Sequence, residues 1–197
     1  MSIYQKFIKR VFDILIAIIG LILVWWLIFL LWLVASLDTR SNGFFTQTRV
    51  GKNGKLFKII KIKTMRADPS TDSTVTVSSD LRITKTGHVL RKFKLDELPQ
   101  LWNVARGDMS FVGPRPDVPG FADALPPKLQ LVLSVRPGIT GPASLKYKDE
   151  EYLLSMHPDP ISYNREVIWP DKVEINIQYI ENWSFYRDLF YMFKTLG

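Results

Sequence analysis

The sequence predicts an α+β chain in two parts. A membrane-inserted N-terminal helix covers residues 1–38, and a small mixed globular domain with interfacial amphipathic helices covers residues 39–197. Three observations predict this. Residues 14–37 carry no charged side chain. Two β-rich runs flank the pair Asn53-Gly54. Further on, apolar residues recur at helical spacing, at Leu98, Leu101, Trp102 and Ala105 and again at Phe185, Leu189, Phe190 and Phe193. A chain of 197 residues has room for one moderate core beside a membrane element, not for two full domains.

The first element is the uncharged run. As a helix its 24 residues extend about 36 Å, enough to cross a hydrocarbon core of roughly 30 Å. It is too long for a signal peptide and is followed by no small-residue cleavage site. Lys6, Lys9 and Arg10 precede it, and Arg40, Arg49 and Lys52 follow it. Both flanks therefore call for the cytoplasmic side, which one straight span cannot satisfy. A re-entrant helix-break-helix satisfies both, and a span set against one group of charges is the alternative. Trp25 and Trp26, near the middle, belong by preference at an interface.

Residues 39–67 hold eight Lys or Arg and no acid. The runs on either side of Asn53-Gly54 predict a β-hairpin. Alternation along its second strand places Lys61 and Lys63 on one face, with Lys58, Ile60 and Ile62 on the other. A basic edge lying on anionic headgroups would account for these charges without any site. The Ser/Thr/Asp-rich residues 69–80 predict a loop.

Residues 80–116 concentrate the chemistry. Pro99 is tolerated only in the first turn of a helix, so the spacing predicts a helix from about Asp96 to about Gly107. Asp96 and Glu97 then lie at its N-terminus, where the dipole and unpaired N–H groups favour anions. A carboxylate so placed is expected to stay ionised, available as a nucleophile or a magnesium ligand. A plain N-cap followed by a first-turn acid is the other reading. Two proline-bounded turns carry arginines suited to phosphate: Gly113-Pro114-Arg115-Pro116 and Arg136-Pro137-Gly138. Towards the end, Trp169-Pro170 predicts a helix start, and Ser184 caps a helix running to about Leu196.

Composition narrows the partners. The chain has no cysteine and only two histidines, far apart, which excludes disulfides, thiolate sites and a histidine-rich zinc centre. Its net charge of +7 favours anionic partners. No nucleic-acid motif is present.

The motifs together resemble a known family, the small monotopic phosphoglycosyl transferases, or bacterial sugar transferases. The resemblance rests on Lys9-Arg10-Val11-Phe12-Asp13-Ile14, Phe44-Phe45-Thr46-Gln47-Thr48-Arg49-Val50-Gly51 and Lys61-Ile62-Lys63-Thr64-Met65. It continues through Leu95-Asp96-Glu97-Leu98-Pro99-Gln100-Leu101-Trp102-Asn103-Val104 and Gly107-Asp108-Met109-Ser110-Phe111-Val112-Gly113-Pro114-Arg115-Pro116. Arg136-Pro137-Gly138-Ile139-Thr140-Gly141 and Tyr179-Ile180-Glu181-Asn182-Trp183-Ser184 complete it.

The resemblance implies transfer of a sugar 1-phosphate from a UDP-sugar to polyprenol (undecaprenyl) phosphate, with release of UMP. It implies Asp96 as the nucleophile of a covalent aspartyl-phosphosugar, and Glu97 as its partner in holding Mg2+ or activating the acceptor. Lys61, Arg115 and Arg136 are the expected phosphate-binding cations. It also implies a bacterial inner membrane location with the catalytic domain facing the cytoplasm, and membrane lipid as a further partner. Asp13 is expected to hold the membrane helix to the globular part. Two positions depart from the family pattern: Trp25-Trp26 stand where a helix-breaking Ser-Pro is usual, and Lys63 stands where arginine is common. Two other classes fit the same residues, a membrane-bound nucleotide-sugar diphosphatase and a non-catalytic basic lipid-binding module.

Overall fold

The computed structural model describes residues 1–66 and 81–196; the loop expected at residues 69–80 lies outside them. Helix α1 (Ile3–Thr39) begins at a capping box, in which the Ser2 hydroxyl accepts from the Gln5 N–H and the Gln5 side chain returns the bond to Ser2. It ends at Arg40 in the left-handed region, φ 51°. Between these ends it is one continuous helix, without the expected break at Trp25-Trp26. No proline interrupts the run, and Trp25-Trp26 leave the i→i−4 hydrogen bonds in place.

One stripe of α1 docks along the domain for most of its length. Lys9, Asp13, Ala17, Leu31 and Ala35 are buried, and Gly20 faces Leu101. Steps of three and four residues keep all of these on one face. From Lys9 to Ala35 the docked stretch is about 39 Å long. The opposite face, from Ile8 through Ile22, Trp26 and Leu33 to Leu37, is exposed and apolar throughout. Polar contacts fix the docked face near its start. The Arg10 guanidinium donates to the Val104 and Ala105 carbonyls at 2.7 and 3.0 Å, and Asp13 accepts from the Phe111 N–H at 3.3 Å.

Strands β1 (Phe44–Val50) and β2 (Leu56–Ile62) form the expected antiparallel hairpin, with Phe44 opposite Ile62 and Phe45 opposite Lys61. Its turn uses positive φ at Asn53 and Gly54. Ile59 packs with Ala17, Val104 and Met109, and Ile62 packs with Leu31, Ala35 and Leu90. Each fully buried isoleucine contributes about 1.5–3 kcal/mol, and together they seat the hairpin against α1.

Helix α2 (Lys85–Lys92) follows, then α3 (Gln100–Arg106), which ends at Gly107 with φ 101°. Strands β3 (Ser110–Val112) and β4 (Gly138–Thr140) pair in parallel and bring the two proline-bounded turns side by side. The approach is so close that a Cβ on Gly138 would lie 2.2 Å from the Gly113 nitrogen. Helices α4 (Pro142–Lys146), α5 (Glu150–Ser155) and α6 (Pro160–Tyr163) lead through a π-helical turn (Asn164–Ile168) into α7 (Trp169–Glu181).

Helix α8 (Phe185–Leu196) starts at Ser184 as expected, with the Ser184 hydroxyl accepting from Arg187 N–H. Its expected apolar side is divided. Phe185 meets Phe12 of α1 edge-on, whereas Phe190 and Phe193 are exposed beside Tyr186. Buried Asp188 accepts from Lys9 at 2.5 Å, from Tyr179 at 2.6 Å and from Trp183 at 3.0 Å, joining the last helix to the first.

Candidate active site

The site is built where α1, β2 and the start of α3 meet. Lys94 turns the chain sharply with φ 53°, and a single 3-10 turn (Leu95–Glu97) follows. Leu95 and Leu98 pack into the cluster of Leu31, Ala35 and Ile62, which fixes the turn. The expected helix therefore exists in two pieces, with α3 proper starting at Gln100. Asn103 of α3 ties β2 to this unit. Its side chain accepts from Ile60 N–H at 3.1 Å and donates to the Lys58 carbonyl at 2.8 Å. Lys61 lies one residue beyond that clamp.

Four of the five candidate residues come together. Glu97 Oε1 accepts from Lys61 Nζ and from Arg115 Nη2, both at 2.8 Å. Burial alone would raise Glu97, but Arg115 and Lys61 outweigh it and hold its carboxyl well below the usual glutamate range. The Lys61 ammonium is lowered by its burial, with Glu97 opposing. Asp96 is buried, and its carboxyl has no hydrogen bond or ion pair among the described residues. Burial pushes it above the ordinary aspartate value; Lys61 opposes that shift and Glu97 adds to it. The shift runs against the one expected from a helix N-terminus, since burial is its largest cause. Asp96 sits in a one-turn 3-10 segment set largely into the domain, not at the mouth of a long helix, and desolvation is the larger effect on its carboxyl.

Arg136 is the residue the structure does not bring to this group. It precedes β4 and lies against the end of α3, where its Nε donates to the Gly107 carbonyl at 2.8 Å. The charges around it are Arg10 and Lys52. Arg115, by contrast, follows β3 and reaches Glu97.

Three contributors were not foreseen. Arg91 of α2 adds positive potential at Asp96 while bonding the Thr64 hydroxyl at 3.1 Å and Glu151 at 2.8 Å. Arg49 of β1 lies largely buried near Arg115 and Glu97; it donates to the Pro116 carbonyl at 3.0 Å and Gln47 Oε1 at 2.6 Å. Asp117 is raised by burial beside Trp169 and Lys172. Arg91 stands in the basic run just before Lys94, a signal that was available. Nothing local marks Asp117, which joins only through the fold.

No group of three or more His, Cys, Asp or Glu able to hold a metal occurs among the described residues. Asp96 and Glu97 would offer two carboxylates, one Glu97 oxygen already being held by Lys61 and Arg115. Magnesium is commonly held by one or two carboxylates together with substrate phosphates, so these residues fit that ion and not a closed protein cage.

A carboxylate pair among fixed cations, on a domain strapped to one long apolar helix, agrees with a sequence comparison in which a family pattern matches residues 4–197. The chain belongs to the bacterial sugar transferase family. Among relatives of this sugar transferase is an exopolysaccharide production protein of Rhizobium meliloti, 34% identical over 204 residues, covering 95% of this chain and 83% of the relative. A UDP-glucose:undecaprenyl-phosphate glucose-1-phosphate transferase of Caulobacter vibrioides is 34% identical over 192 residues, covering 95% and 68%. A UDP-N-acetylgalactosamine-undecaprenyl-phosphate N-acetylgalactosaminephosphotransferase of Aeromonas hydrophila is 34% identical over 194 residues. In that pair the sugar transferase chain is covered to 96%, but it spans only 43% of the relative.

Proposed function

We propose that this chain transfers a sugar 1-phosphate from a UDP-sugar to polyprenol phosphate in two covalent steps. Asp96 attacks the sugar-linked phosphorus, the bond from that phosphorus to UMP breaks, and UMP leaves. A phosphate oxygen of the acceptor then attacks the same phosphorus. The aspartyl bond breaks, the diphosphate-linked product forms, and Asp96 is restored. The relatives whose names give a UDP-sugar and an undecaprenyl-phosphate acceptor support the reaction. The observation that carries the assignment within the site is the division of labour between two adjacent carboxylates. One oxygen of Glu97 is held by both Lys61 and Arg115, which leaves Asp96 as the unpaired oxygen nucleophile inside the same positive field.

Lys61 and Arg115 hold the donor phosphates, and Arg91 adds to their field. Arg136 supports the ladder beside α3 and has no phosphate role in this reading. Asp96 and Glu97 would hold Mg2+, which supplies neutralisation of the diphosphate charge when bound. Helix α5 brings Glu151 to Arg91 and Glu150 near Arg115, and the sugar is assigned to this side of the site.

The outer stripe of α1 lies in the cytoplasmic leaflet of the bacterial inner membrane. Because the opposite stripe is docked over about 39 Å, the helix runs along the bilayer surface, and both of its basic ends stay on the cytoplasmic side without a break. Exposed Tyr186, Phe190 and Phe193 of α8 extend that contact.

The test is UMP release by purified protein given Mg2+ and a panel of UDP-sugars, with and without undecaprenyl phosphate. Acceptor-dependent turnover abolished by Asp96→Asn is expected. Sustained turnover without acceptor identifies a diphosphatase instead, and no release from any donor leaves a lipid-binding module.

A further inference from the structure

Four cations gather at the end of the domain where α1 begins, away from the catalytic pair. Arg10 and Arg136 come from distant parts of the chain and meet at the end of α3. Arg10 uses Nη1 and Nη2 on the Val104 and Ala105 carbonyls, whereas Arg136 uses only Nε, on the Gly107 carbonyl. A Cβ on Gly107 would lie 3.1 Å from Arg10 Nη2, so the two guanidinium groups flank one glycine. Lys52 joins them through the hairpin turn. Its neighbours Asn53 and Gly54 face Leu133 and Ser134, two residues before Arg136, across a cleft of about 320 Å³. Lys6 stands four residues before Arg10, on the same face of α1 and one turn further out.

These charges are not compensated within the chain. Among the described residues Lys6, Lys52 and Arg136 make no ion pair, and neither ammonium nor Nη1 or Nη2 of Arg136 has a hydrogen-bond partner. The nearest acids are engaged elsewhere: Asp13 accepts from Phe111 N–H, Asp108 pairs with Arg106 at 3.6 Å, and Asp123, on the cleft, accepts from Gly120 N–H at 2.7 Å. Burial, then Arg136 and Lys6, lower the Lys52 ammonium. Like charges held together repel, and an anion that takes their free N–H groups relieves the repulsion. Its place is not the reaction site. From Arg10 to Leu31, which packs beside the Asp96 turn, is roughly 30 Å along α1. From Lys61 back to Leu56 is about 17 Å of strand, and Lys52 lies beyond that in the turn. One diphosphate cannot reach both places.

The surroundings of Lys6 indicate the source of the anion. Ile3, Tyr4, Phe7 and Ile8, on the same turns of α1, are exposed apolar side chains that begin the outer stripe. With that stripe in the bilayer, Lys6 stands at the level of the lipid phosphates. We infer that Lys6, Lys52 and Arg136 hold the phosphate of an anionic phospholipid, which seats the start of α1 and the hairpin turn on the headgroup layer. A zwitterionic headgroup fits less well, because it brings its own cation into a cluster of cations. The inference rests on the membrane reading of α1 and is independent of the transferase chemistry.

The test titrates phosphatidylglycerol into the full-length protein in neutral detergent micelles and reads bound lipid by native mass spectrometry. The wild-type chain is expected to take up phosphatidylglycerol in preference to phosphatidylcholine. Lys6→Gln/Lys52→Gln removes two ammonium groups that hold nothing else, and is expected to raise the apparent Kd for phosphatidylglycerol about thirtyfold. Lys58→Gln/Lys148→Gln removes the same charge from two other exposed lysines and is expected to change it little. Equal losses in the two variants, or no preference over phosphatidylcholine, overturn the site. Displacement of phosphatidylglycerol by an equal amount of inorganic phosphate or UDP-sugar assigns the cations to a soluble phosphate and overturns the lipid. Flotation with pure phosphatidylcholine vesicles reads the membrane contact separately and is expected of wild type and variants alike. Its absence in all of them defeats the membrane reading, while the micelle titration still reports whether the cations bind a headgroup.

Discussion

Glu97→Gln tests the charge arrangement directly, whatever the substrate. Glu97 is 12% exposed in its side chain and Lys61 17%, while Arg115 is 47% exposed. Removing one partner of a buried ion pair costs about 3–5 kcal/mol, chiefly by stranding the other charge. Arg115 can turn into water, so its share is small, and the amide oxygen still accepts one hydrogen bond from Lys61. The remaining loss is about 2–3 kcal/mol, nearly all from Lys61. For a chain of this size that lowers the melting temperature by roughly 5–10 °C. The assay is thermal unfolding in detergent, followed by circular dichroism, for Glu97→Gln, Lys61→Met and the double variant. The double variant is expected to regain most of the loss, because the stranded ammonium is gone. Single effects that add to within about 0.5 kcal/mol would refute the coupling. The pH dependence has a definite sign. Glu97 is held below its ordinary value of 4.5, so its contribution is present above that pH and is lost as the pH falls well below it.

Other consequences are as direct. Asp96→Asn should raise the melting temperature at neutral pH, since a buried carboxylate without a partner is replaced by a neutral amide; the gain should shrink as acid protonates wild-type Asp96. A lower melting temperature at neutral pH would contradict the raised carboxyl. By the same shift, UMP release should climb with pH through a carboxyl titration lying above the ordinary aspartate range, and a pH-independent rate across that interval would count against Asp96 as the nucleophile. Asn103→Ala removes both bonds to β2 and should cost about 2–3 kcal/mol, measured by thermal unfolding; no change would mean that the clamp is idle. Asp188→Ala should free α8, seen as rapid proteolysis after residue 183, because Lys9, Tyr179 and Trp183 all lose their acceptor. Unchanged protease resistance would dismiss that role.

Much of this was legible in the sequence because it depended on local signals. Asn53-Gly54 announced the hairpin, Ser184 the last helix and Gly107 the end of α3, and the expected cluster of Asp96 and Glu97 with Lys61 and Arg115 is present. What was not legible came from tertiary placement. The run around Trp25 and Trp26 reads as a break only if a break is assumed, and the sequence lacks the proline that would make one. Arg115 and Arg136 look equivalent in one dimension, each beside a proline. The parallel pairing of β3 with β4 sends one to Glu97 and the other to the end of α3. Asp96 looked like a helix-terminal anion because the spacing did not show that Leu95 and Leu98 would pull its turn into the core.

The inner stripe of α1 carries Lys9, Arg10 and Asp13, and each finds its partner only in residues made much later: Asp188, the carbonyls of Val104 and Ala105, and the Phe111 N–H. In hydrocarbon such side chains cost about 2.5–3.5 kcal/mol apiece. Until residues 104–188 have folded, these three side chains lack the partners that cover them. The inner stripe of the helix is thus completed only when the far end of the polypeptide has returned to cover those charges. On the membrane reading proposed above, docking of this helix is coupled to folding, and truncation from the C-terminal side should weaken membrane association as well as inactivate the enzyme.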